Sequence, residues 1–220
     1  MLIGTGVLLV VGISSVALLE WTNPRTLGNE PLGTKVLMSL FQGVTPRTAG
    51  FATVTYSDMR DPTLAIQLAL MFIGTAPVST GGGIKVTTVA LLFLIILAQV
   101  RGREEVRAFG RRIPRSLIAK SVTVMTLSTL LVFGASLALM VSDNVPAFTA
   151  FFEVTSGFGT VGLSLGPGYG LATELSAFGK ILLPFVMFAG RVGPITIAVA
   201  LSERSKPARY TYPEEDIAIG

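Results

Sequence analysis

Thr48-Ala49-Gly50-Phe51 and Thr160-Val161-Gly162-Leu163 are two stretches of one design, offset by 112 residues, and internal repetition is to be sought before any other pattern. Each closes an apolar segment too short to cross a bilayer, and each stands between longer apolar runs. Irregular backbone is tolerated at membrane depth only where it is buried in protein or lines a water-filled cavity. A re-entrant segment ending in a Gly-bearing extended stretch is therefore the expected form of a wall that turns its carbonyls toward an ion. Gly50 and Gly162 are the candidates for close backbone approach, because Gly reaches dihedrals that other residues adopt at a cost.

Composition fixes the class. The 220 residues are 50% hydrophobic and 14% charged, with a mean hydropathy of +0.69, whereas about 25% of the residues of a soluble domain are charged. An integral membrane protein is expected. The chain has no Cys and no His, which removes disulfides, thiol chemistry, the usual general base and the commonest metal ligand. Ser/His/Asp hydrolases and zinc enzymes are thereby disfavoured, and no catalysis and no cofactor are expected. The net charge of +4 sits beside the apolar runs, where orientation by the positive-inside rule accounts for it without nucleic acid.

The chain divides into two tandem units. Residues 1–100 hold a span at 2–19, a pore loop at 36–51 and a broken span at 64–100. Residues 117–201 hold a span at 117–141, a pore loop at 145–163 and a span at 178–201. A basic connector, 101–116, joins them, and a polar tail, 202–220, follows. The absence of a basic flank before the first span suggests missing preceding sequence. The stretch 64–100 is nearly twice the ~20 residues of one crossing. Its middle, Gly74-Thr75-Ala76-Pro77-Val78-Ser79-Thr80-Gly81-Gly82-Gly83, cannot continue a helix, since Gly costs ~1 and Pro ~3 kcal/mol there. The span is thus expected to break at membrane depth and face the pathway. Lys85 does not follow a Gly in the spacing of a phosphate-binding loop, so a nucleotide site is rejected.

Seven Lys or Arg against two Glu between Arg101 and Lys120 place the connector in the cytoplasm, with the tail. Both pore loops then enter from outside. Their half-helices aim carboxyl ends, the negative end of the dipole, at the site, which favours a cation.

The segments Thr45-Pro-Arg-Thr-Ala-Gly-Phe51, Gly81-Gly-Gly-Ile-Lys-Val-Thr-Thr88, Arg103-Glu-Glu-Val, Phe109-Gly-Arg-Arg112, Phe158-Gly-Thr-Val-Gly-Leu163, Gly190-Arg-Val-Gly-Pro194 and Tyr212-Pro-Glu-Glu-Asp216 resemble the Trk/Ktr/HKT superfamily of potassium transporters, and most of all the bacterial Ktr membrane subunit. The resemblance covers essentially the whole chain. It implies an all-α integral membrane fold of span, re-entrant pore loop and span, like a potassium-channel pore, with the third and fourth of four repeats present here. It further implies that Thr48, Ala49, Gly50 and Phe51 with Thr160, Val161, Gly162 and Leu163 are two of four filter walls. Potassium would be held by the backbone of Thr48, Ala49, Gly50, Thr160, Val161 and Gly162. Gly74 to Gly83 would be an intramembrane gate beneath them. The implied setting is the cell membrane, with an N-terminal half carrying the first two repeats, a homodimer of the full-length protein, a cytoplasmic nucleotide-binding regulatory ring, and sodium as a possible coupling ion.

Lys85 is expected on the cytoplasmic side of the cavity. Arg191, mid-run in 178–201, aligns by the 112-residue offset with Ser79 and is expected to hold the loop closed through its carbonyls. Asp58 and Asp61 are candidates for concentrating cations at the outer mouth. Arg47, beside a filter wall, is paired with Glu153. The expected function is selective potassium uptake; a sodium-selective relative, and a membrane-embedded enzyme or scaffold, are the alternatives.

Overall fold

In a bilayer every backbone N–H and C=O must find its partner within its own segment, so the apolar runs have to become helices. The computed structural model describes residues 1–77, 79–102, 105–108, 110–166, 170–193 and 196. Among the described residues two helices are long and apolar enough to cross a membrane: α1 (Leu2–Glu20, 19 residues) and α5 (Arg115–Asp143, 29 residues). At 1.5 Å per residue they measure roughly 28 and 43 Å.

Behind each comes a 13-residue helix, α2 (Leu32–Val44) after α1 and α6 (Ala147–Gly159) after α5. Then follow α3 (Asp61–Phe72) with α4 (Val86–Val100) in the first unit and α7 (Ala177–Val192) in the second. The short helices differ from the expected segments at their starts. Pro31 and Pro146 are extended N-caps, so α2 begins at Leu32 and takes in the mixed turn Leu32-Gly33-Thr34-Lys35 that an apolar-run criterion passes over. Residues 73–85 separate α3 from α4.

Helix α6 is the centre of the core. It packs against α5, α7 and α3 and buries Phe152, Val154 and Phe158 completely. Ile84, Leu139 and Val186 close around Phe158 and Val154, while Tyr56, Met71 and Val161 gather on the Phe152 side. By contrast α1 buries only Gly12, Ser15, Val16 and Glu20, leaving a wide apolar face outward.

An acidic residue at the end of each first span ties down the second span of its unit. Glu20 accepts hydrogen bonds from Asn23 Nδ2 (2.6 Å), Thr26 Oγ1 (2.8 Å), Thr63 Oγ1 (2.5 Å) and the N–H of Arg60 (2.9 Å), which is the N-cap of α3. Asp143 accepts from the N–H of Ser176 (2.5 Å), the N-cap of α7. The loops differ in length, yet the tie is the same.

Helix α7 is described to Val192, with Gly193 at φ 91° as its C-cap; of the expected span's remainder, 194–201, only Thr196 lies within the described residues. In the connector, β1 (Arg107–Ala108) pairs antiparallel with β2 (Arg111–Arg112), and Glu105 bridges Arg107 (2.8 Å) and Arg112 (3.2 Å). The Arg107 hydrogen bond, helped by Arg112, holds the Glu105 carboxyl below the usual carboxylate range. The tail 202–220, Val78 in the loop, and the motif residues Arg103, Glu104, Phe109 and Pro194 lie outside the described residues.

Candidate functional site

The stretches that opened the sequence reading have one backbone conformation. Thr48 (φ 72°) and Gly50 (φ 74°) are left-handed with Ala49 between them, and Thr160 (φ 52°) and Gly162 (φ 91°) are left-handed around Val161. Left-handed φ is uncommon for a residue other than Gly, and more so for a β-branched one. Two threonines held there, each two residues before a left-handed Gly, mark a backbone arranged for a purpose. Alternation of handedness along a chain brings successive carbonyls toward one side, which a regular helix or strand does not do.

The two legs stand side by side. A Cβ on Gly50 would fall 2.1 Å from the carbonyl oxygen of Val161, so only Gly lets them approach. A cavity of about 380 Å³ opens beyond them, lined by Gly50, Thr53, Tyr56, Gly162 and Ser164 among others.

Polar side chains on the half-helices brace each leg from behind. In the first, Thr45 Oγ1 donates to the Phe51 carbonyl, and Gln42 Oε1 accepts from the N–H (3.3 Å) and hydroxyl (3.2 Å) of Thr53, eleven residues ahead. In the second, Ser156 Oγ accepts from the N–H of Gly162 (3.2 Å) and of Leu163 (2.9 Å). Glu153 Oε1 accepts from the hydroxyl of Ser164, again eleven residues ahead, and from the N–H of Leu165 (3.0 Å).

Directly against these legs lies the loop between α3 and α4. Its neck is closed by the N–H of Ile84 on the Phe72 carbonyl (3.1 Å) and the N–H of Val86 on the Thr75 carbonyl (3.2 Å). Gly74 and Gly82 make the neck possible, since a Cβ on Gly74 would lie 1.9 Å from the Gly82 oxygen. The N–H of Gly82 donates to Thr160 Oγ1 (2.8 Å), and Gly81 stands against the Thr48 methyl. The Gly-rich segment thus touches the first residue of each leg. Lys85 folds back on it, Nζ donating to the Gly81 carbonyl (2.5 Å).

The expected charge pairings fare differently. Arg47 does not pair with Glu153; its Nη1 donates to the Ile73 carbonyl (2.6 Å), where the end of α3 leaves an acceptor without a helical partner. Glu153 is already occupied by the donors that follow its own leg. Arg191 stands exposed in the last turn of α7, and among the described residues no hydrogen bond joins it to the loop. The adjacent Gly190 lies close to the neck of the loop: a Cβ on it would meet the Phe158 carbonyl oxygen at 1.9 Å, and that same oxygen accepts the N–H of Gly83 (3.1 Å). Asp58 and Asp61 line a separate hollow of about 420 Å³ together with Arg25 and Arg60, whose charges offset theirs. Among the described residues no group of His, Cys, Asp and Glu is arranged to hold a metal ion.

Comparison with known proteins addresses the same residues. The profile of the cation transport protein family TrkH matches residues 2–209. The chain belongs to this family. It is 37% identical to the Ktr system potassium uptake protein B of Bacillus subtilis (strain 168) over 220 residues, covering 100% of this chain and 48% of that protein. Against the protein of the same name from Vibrio alginolyticus the figures are 38%, 100% and 47%. The potassium/sodium uptake protein NtpJ of Enterococcus hirae is 33% identical over 219 residues, covering 97% of this chain and 48% of that protein. Among solved structures the potassium transporter TrkH from Vibrio parahaemolyticus superposes with a TM-score of 0.74 at 23% identity, over 90% of this chain and 43% of that one, which shows a shared fold. The chain spans about half the length of the curated relatives it matches. Family and fold together make it a membrane protein of the cation transport family.

The braces are what sequence reasoning missed. Gln42, Thr45, Thr53, Ser156 and Ser164 are single polar residues scattered near the motifs; the spacing of eleven shared by Gln42–Thr53 and Glu153–Ser164 could have revealed those two pairs, whereas Thr45 and Ser156 carry no such signal.

Proposed function

We propose that this chain supplies two walls of a potassium-selective pore, with cations stripped of water by the backbone carbonyls of Thr48, Ala49 and Gly50 and of Thr160, Val161 and Gly162. The observation that carries the proposal is the paired left-handed conformation at Thr48/Gly50 and Thr160/Gly162 in two legs that touch. A rigid array of carbonyls replaces a hydration shell, and each leg is tied to its half-helix by side chains that leave those carbonyls free.

The Gly74 to Gly83 loop is the gate. Its Gly81 and Gly82 lie against the inner ends of both legs, and few side chains hold it there, as a segment that must withdraw requires. Lys85 steadies the closed loop, and Arg191, at the same depth, sets a positive charge beside it. The connector and the tail are cytoplasmic. The remaining walls come from a further pair of repeats, the assembled protein pairs with a second copy, and its cytoplasmic face meets a regulatory nucleotide-binding ring. Sodium permeation is a second reading, favoured by the printed name of the NtpJ relative.

The test is potassium uptake by a transport-deficient bacterium expressing the complete product of the gene. The parent is expected to restore growth at low potassium. Gly50→Val, which adds a branched side chain at φ 74° and 2.1 Å from a carbonyl oxygen, is expected to abolish discrimination between potassium and sodium. Unchanged discrimination in a folded Gly50→Val protein would remove this leg from the filter.

A further inference from the structure

The two legs are braced at corresponding places by different chemistry. Gln42 and Glu153 each reach eleven residues ahead to a hydroxyl residue just beyond the filter. Gln42 is neutral, and Glu153 is ionisable. Glu153 is nearly buried at 7% exposure, and its oxygen collects the Ser164 hydroxyl and the Leu165 N–H. Ser164 in turn accepts from the N–H groups of Gly166 (3.0 Å) and Leu171 (2.9 Å), so the carboxylate anchors the whole turn after the leg. Among the described residues no Lys or Arg pairs with it. It borders a cavity of about 270 Å³ that runs beside Thr160, Val161 and Gly162.

A carboxylate in this place does two things that an amide does not. The hydroxyl and N–H donors that converge on it make charge-assisted hydrogen bonds to a carboxylate, and such bonds are about twice as strong as neutral ones. A negative charge without a counter-charge, screened from bulk water, also acts over the neighbouring backbone far more than a surface carboxylate would.

We propose that Glu153 is a positioning and affinity-determining residue of the pore: it fixes the outer end of the Thr160 to Leu163 leg and lends that side of the filter a negative charge that the Gln42-braced leg lacks. The proposal rests on the potassium reading given above. It makes the fourth-type leg the stronger cation binder of the two, although the legs share a backbone.

Gln42 shows that an amide fits such a site, so Glu153→Gln removes charge with little change of shape. In the complete protein, with uptake normalised to folded protein in the membrane, Glu153→Gln is expected to raise the KM for potassium about fivefold or more, with a smaller change in maximal rate, the pattern of a lost binding term. The converse variant, Gln42→Glu, adds a carboxylate facing Thr53 and the otherwise unpartnered Tyr56 hydroxyl, and is expected to lower that KM. A KM within twofold of the parent in folded Glu153→Gln overturns the proposal. If Glu153→Gln fails to fold, an unchanged KM in Gln42→Glu overturns it instead. Failure of the potassium reading is distinct, because it appears in the parent as an absence of potassium uptake.

Discussion

Replacing Gly190 by Ala sets a methyl group 1.9 Å from the Phe158 carbonyl oxygen, with the carbonyl carbon at 2.7 Å and Cα at 3.0 Å. All three obstacles are backbone, so no rotamer change relieves them. An ordinary contact begins at 3.4 Å, and α7 and the last turn of α6 must therefore part by about 1.5 Å, the kind of overpacking that costs 1–3 kcal/mol and occasionally more. The same oxygen is the acceptor for the Gly83 N–H, a bond worth about 1 kcal/mol that the displacement stretches. Together these give a loss of about 3 kcal/mol, or roughly 6–12 °C in unfolding temperature for a chain of this size. Gly134, in α5, is the control. A Cβ there meets nothing within 4 Å, so Gly134→Ala is expected to be neutral or to gain a few tenths of a kcal/mol from helix propensity. Thermal unfolding of the purified protein in detergent measures both. Gly190→Ala unfolding within 2 °C of the parent would refute the reasoning, because the closest helix approach in the site would then be one that α6 and α7 do not need.

Glu20→Ala leaves four donors without their acceptor, among them the N-cap N–H of α3, and is expected to destabilise the protein by about 3 kcal/mol; an unfolding temperature unchanged within 2 °C would show that the outer loop is held by other means. A cysteine placed at Arg107 in this Cys-free chain is expected to react with an impermeant thiol reagent in inside-out vesicles and not in intact cells. Labelling from outside intact cells would invert the topology.

The sequence was legible where a single physical rule decides the outcome. Apolar runs of span length, the Pro and Gly of residues 74–83, and the repeated Thr-x-Gly motif each admit few structures, and the helices, the break and the matching legs follow from them. What escaped depended on pairing in three dimensions. Arg47 was matched to Glu153 because opposite charges attract, yet in a membrane interior the strongest demand came from an unpaired helix-end carbonyl, Ile73, and from backbone N–H groups after the filter. Gln42 and Ser156 show no pattern until their partners are known.

The side of each filter glycine that lacks a Cβ faces something different. At Gly50 that side meets the Val161 carbonyl of the neighbouring leg, while at Gly162 it meets nothing nearer than 4.0 Å. The step from one leg to the next, taken once more, would set another leg where Gly162 looks onto open space. On the pore reading proposed above, two legs enclose a sector of a cation's coordination sphere and leave the rest to water. An ion resting in that sector stays half hydrated, and a half-hydrated ion pays no full dehydration cost by which potassium and sodium differ. Affinity can belong to one leg, but discrimination arises with closure of the sphere and is owned by no single wall.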